Sequence, residues 1–200
     1  MMGIGFIFLL NACFNLIIAA LLGYTWILLH KKRMQVQNLF FALGFFYALL
    51  FVLNLSWFIS LAPRIEKEIL LFDSMFLVAK TTLLMIILGS LAKEKRMVLL
   101  LFLYLFSALS LQVSFSDFFV AIDFISYLLL FLGFMHVGSQ HIKHLQKAGL
   151  YGSIYGVFSL ALIVLIYFGK INLAYVQAFL NIFVILSLWH IFRYFQTVEL

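Results

Sequence analysis

Lysine 80 stands alone in the run FLVAKTTLLM, residues 76–85, among side chains that are otherwise apolar or small hydroxyls. An ionised lysine deep in a bilayer costs about 2.5–3.5 kcal/mol on insertion scales, so it must face protein or water and find a partner. Such a cation can hold an anionic or polar ligand, or exchange carboxylate partners as a helix bundle moves. Asp73 lies seven residues earlier, two helical turns and about 10 Å away on the same stripe. Helical side chains lean toward the N-terminus of their helix, which directs Lys80 toward Asp73 and leaves a gap that water or Asp123 can fill.

Other polar residues repeat the pattern. Asn11 and Asn15, Asp123 and Tyr127, and Gln177 and Asn181 are each four apart, a spacing that stacks them on one helical stripe. A single amide in such a position ordinarily serves as interhelical glue worth about 1 kcal/mol or less. The expected ligand or ion pocket has Lys80, Asp73 and Asp123 as its charged core, with Asn15, Asn181, Gln177 and Tyr127 beside them.

His136 and His190 fall at equal distances from the starts of their apolar segments, and two facing imidazoles can supply the axial nitrogens of a b-type haem. His141 and His144, in SQHIKHLQK, are expected in a basic loop where they could meet a phospholipid headgroup. Gly152 and Gly156 form a GxxxG spacing for close helix packing, within a bundle or between copies of the chain. The lone Cys13 rules out an internal disulfide, a CxxC redox pair and a multi-cysteine metal site.

The elements that must position these residues follow from composition. The 200-residue chain is 66% hydrophobic and 10% charged, against roughly 25% charged residues in soluble domains. Crossing a hydrocarbon core of roughly 30 Å takes about 20 apolar residues as a helix, and lipid requires every backbone polar group to be satisfied internally. Charge and turn clusters divide the sequence into apolar segments at about 3–30, 38–62, 69–92, 97–113, 117–139, 148–169 and 171–195. This predicts an all-α integral membrane protein, a seven-transmembrane helix bundle forming a single domain over residues 1–200. The fourth segment is the shortest, so six helices and a re-entrant piece are the alternative. The first segment is too long for a signal-peptide core.

Basic residues cluster after segments one (Lys31, Lys32, Arg33), three (Lys93, Lys95, Arg96) and five (Lys143, Lys147), and Arg193 closes segment seven. The opposite side carries Arg64, Lys67 and Lys170, offset by Glu66, Glu68 and Asp117. Positive residues mark the cytoplasmic side, which predicts an outside N-terminus and a cytoplasmic C-terminus. The net charge of +6 is therefore a matter of topology rather than nucleic-acid binding. Short loops point to the cytoplasmic membrane of a prokaryote.

Glycine-rich phosphate loops, HExxH and GxSxG are missing from the sequence. With no visible pairing of nucleophile and base, the balance is against an enzyme, and no catalytic or metal-ligating residue is assigned. The leading expectation is a sensor-like or accessory membrane subunit with an outward-facing polar pocket, working through partner proteins. A small secondary transporter of an ion or polar solute is the alternative, and a haem-bearing redox subunit the third.

Overall fold

A computed structural model describes residues 2–60, 66–92, 104, 119–167 and 174–198. Six helices are described: α1 (Met2–Lys31), α2 (Gln37–Ser60), α3 (Glu66–Ala92), α4 (Phe119–Gly138), α5 (Lys143–Tyr167) and α6 (Ala174–Thr197). Five of them contain apolar stretches of spanning length: Phe8–Lys31, Gln37–Ile59, Ala121–Gly138, Lys143–Leu165 and Phe179–Thr197. In α3 the described apolar stretch is Leu77–Ala92. Large apolar side chains also cover the outer faces, with Ile59 70% and Tyr24 68% exposed. Helices apolar on all sides bury little in water and much in lipid. The chain is an all-helical membrane protein. The predicted fourth segment, 97–113, lies outside the described residues apart from Tyr104, which is helical and buried.

Each described helix packs against its neighbours in sequence, and α6 returns to α1, so the contacts close into a ring among the described residues. Steric detail explains the tightest joints. Gly138 and Gly149 bring the α4 and α5 backbones together: a Cβ on Gly149 would collide with Gly138 Cα. Farther along α5, Gly152 faces the Phe134 ring and Gly156 faces Phe131. The GxxxG spacing is thus used inside the chain, because a glycine already filled by Phe134 or Phe131 has no face left for a second copy. A homo-oligomer would need another seam.

The α1–α2 turn is held by a Schellman arrangement. Arg33 has φ 53°, its amide donates to His30 O at 3.1 Å, and the Met34 amide donates to Leu29 O at 3.0 Å. Glycine is the usual residue there, since a Cβ is strained in the left-handed region. Lys32 meanwhile caps the far end of α6, donating to Phe195 O at 2.7 Å and to Val198 O.

One boundary moves from its expected place. The basic stretch read as a loop up to residue 147 is largely helix, because α5 begins at Lys143 and leaves only Ser139–Ile142 as the connection. The stretch has no breaker, and burial of Leu145 and Ala148 draws it into the bundle. His144 is therefore a helical residue on the packed start of α5, while His141 stays in the turn.

Candidate functional site

Lys80 reaches across the ring. Its ammonium donates to the Tyr155 hydroxyl at 3.0 Å, although α3 and α5 are not backbone neighbours among the described residues. The Nζ lies 5.5 Å from the Tyr155 ring centroid and 5.9 Å from that of Tyr127. The two rings meet edge to face at 5.8 Å. Tyr47 of α2 is 2% exposed and lies within electrostatic reach of Lys80, and its hydroxyl has no hydrogen-bond partner among the described residues. Asp123 of α4 is also within that reach. Three helices besides α3 thus contribute to the surroundings of one cation.

Local packing puts these groups there. The glycine face of α5 seats it deeply against α4, which carries Tyr155 to the interior beside Tyr127. Nearby, the Tyr104 hydroxyl and Ser126 Oγ are 2.5 Å apart, and Ser126 in turn donates to Ile122 O at 2.7 Å. Protein atoms crowd Lys80, yet the residue keeps some accessible surface. A hydrogen bond to a charged group contributes about 1.5–3 kcal/mol and a desolvated cation–π contact about 0.5–2 kcal/mol. Together these are comparable to the insertion penalty of about 2.5–3.5 kcal/mol.

The expected pocket residues divide into separate groups. Lys80, Asp123 and Tyr127 share one neighbourhood. Asn181 instead donates to Asn11 Oδ1 at 3.4 Å, joining α6 to α1, and Asn15 is buried on α1. Neither of those helices touches α3 among the described residues. The side chains of Asp73 and Gln177 lie outside the described residues, and with them the expected lean of Lys80 toward Asp73.

Sequence reasoning missed Tyr47, Tyr104 and Tyr155. The usable signal for Tyr155 was its place inside GSIYG, where close helix approach inserts the intervening side chain into the bundle.

The histidines also have different neighbours from those expected. His136 is on α4 and His190 on α6, helices that share no contact among the described residues because α5 stands between them. His190 instead stacks on Tyr151 of α5, with centroids 5.6 Å apart and planes 6° off parallel, and lies 6.0 Å from the His144 ring. Equal depth along two helices does not make their faces converge. Among the described residues no group of three or more His, Cys, Asp or Glu side chains is placed to hold a metal ion.

No protein-family model, curated protein or solved structure matches the chain.

Proposed function

We propose that the chain is a sensor-like or accessory membrane subunit, which holds a polar ligand or a partner's membrane helix at Lys80 and works through another protein. The observation that carries this reading is the Lys80–Tyr155 bond inside the bundle, with Tyr47, Tyr127 and Asp123 around it. Opposite charges and phenols gathered from several helices make a site whose occupancy changes how those helices pack. In this reading residues 97–113 supply a seventh span, the N-terminus is outside, and the basic ends face the cytoplasm of a prokaryotic cell. Asp73 and Gln177 then line the approach from outside, while Asn181 and Asn11 join α6 to α1 as a separate polar seam.

The test is purification from the native source in mild detergent, followed by mass spectrometry of whatever accompanies the chain. Recovery of a stoichiometric partner, lost or loosened in Lys80→Met, is the expected result. Repeated isolation of a lone, independently active chain would remove this reading.

A transporter is the second reading, favoured by the proximity of Lys80 and Asp123, since opposite charges on different helices can exchange partners as a bundle rocks. It requires solute flux in liposomes that Lys80→Met abolishes. The haem reading has weaker support, because Tyr151 and His144 occupy the neighbourhood of His190. A preparation without a Soret band would end it.

A further inference from the structure

A second polar site lies at the end of the bundle where α4 turns into α5 and α6 finishes. Lys147 and Arg193 are exposed and within electrostatic reach of His190, whose ring faces His144. The Nδ1 atoms of both histidines are buried without a hydrogen-bond partner among the described residues. His144 lies in the first turn of α5, so the positive dipole end of that helix is at the same corner. No acidic residue occurs between Ser139 and Thr197. Clustered cations repel one another, and an anion relieves that repulsion.

The surface leading away from this corner is apolar. On α5, Lys147, Tyr151, Ile154 and Phe158 follow one stripe at helical spacing, and all four keep accessible surface. On α6, Arg193, His190, Leu186 and Phe179 do the same. His190 stacks on Tyr151, so the two stripes flank a single α5–α6 groove. From Lys147 to Phe158 the rise is about 16 Å, close to one leaflet's share of a roughly 30 Å hydrocarbon core. Phe158 is 54% exposed and Phe179 56%, both well below the cations. Arg193 also sits 4.9 Å over the Trp189 ring, an exposed aromatic of the kind found at membrane interfaces.

The geometry points to a binding site for an anionic phospholipid. Its phosphate sits among Lys147, Arg193, His144 and His190, and one acyl chain lies along the α5–α6 groove toward Phe158 and Phe179. Charge complementarity selects the headgroup, and the length of the groove selects a lipid over a small soluble phosphate. The assignment is independent of the role of Lys80.

The test uses the full chain in mild detergent, with phosphatidylglycerol, phosphatidylcholine, glycerol phosphate and inorganic phosphate added separately, and retained ligand read by native mass spectrometry. Phosphatidylglycerol is expected to be retained in preference to phosphatidylcholine. Its affinity is expected to fall roughly thirty-fold in Lys147→Gln/Arg193→Gln, from a contribution of about 1 kcal/mol for each removed charge. Both side chains are exposed, so this variant is expected to fold like the parent. Equal retention of the two lipids, or unchanged affinity in the double variant, overturns the site. Displacement of the lipid by glycerol phosphate or inorganic phosphate at comparable concentration overturns the lipid assignment and indicates a soluble anion.

Discussion

Lys80 of α3 and Tyr155 of α5 share a 3.0 Å hydrogen bond across two helices whose backbones do not meet among the described residues. Tyr155→Phe leaves a largely desolvated ammonium short of its acceptor, at a cost of about 1–3 kcal/mol, or a fall of roughly 2–12 °C in Tm. The double variant Lys80→Met/Tyr155→Phe removes the charge as well, and is expected to recover most of that loss. Thermal unfolding in detergent measures both. Equal losses in the single and double variants would mean that the unpaired charge is not what destabilises Tyr155→Phe.

The α4–α5 joint gives a second expectation. Gly149→Ala drives a methyl group into the Gly138 backbone, whereas a Cβ on Gly23 meets nothing within 4 Å. Gly149→Ala is expected to destabilise by about 1–3 kcal/mol through overpacking, and Gly23→Ala to be neutral or mildly stabilising. Paired Tm measurements compare them, and a harmless Gly149→Ala would contradict the backbone contact.

The turn after α1 gives a third. Arg33 holds a left-handed backbone conformation with φ 53°. Arg33→Gly relieves that strain and is expected to raise stability by about 0.5–1 kcal/mol, less the entropy glycine gains on unfolding. A lower Tm would assign Arg33 a contact that outweighs the strain.

Lys32 gives a fourth expectation, since it caps carbonyls at the end of α6. Lys32→Met leaves those oxygens without the ammonium, and hydrogen exchange over residues 194–198 is expected to accelerate about five- to thirty-fold. Unchanged exchange there would show that the cap is dispensable.

Orientation is open to direct labelling. In a Cys13→Ser background, Gln35→Cys and Ser139→Cys occupy exposed turn positions. Intact cells treated with an impermeant maleimide are expected to spare both until the membrane is permeabilised, and to label Arg64→Cys at once. The reverse pattern would invert the proposed topology.

Much of the fold was legible because lipid imposes a severe rule on the backbone. Long apolar runs have to be helices there, and charges accumulate at their ends. The described helices lie close to the expected segments, with the early start of α5 as the clearest departure. That stretch looked like a loop because Lys and His dominate it, but Leu145 and Ala148 are spaced to be buried on one helical face. The candidate site was only partly legible. Spacing along one helix linked Asp123 with Tyr127, and the oddity of its charge singled out Lys80. Tyr47 carries no such mark, since tyrosine is common in this sequence and equally at home against lipid, and Tyr155 is marked only by its place inside GSIYG.

The sequence by itself therefore determined the solvent, the helical class and the residues too polar to be left facing lipid, because those depend on transfer energies that each residue brings with it. Only the tertiary structure decided which helix faces meet. It sent Asn181 to Asn11, His190 to Tyr151 and His144, and Lys80 to Tyr155. Azimuth around a helix is set by packing, here by glycines that let α5 press against α4, and helices apolar on every side leave that angle almost unmarked in their sequence.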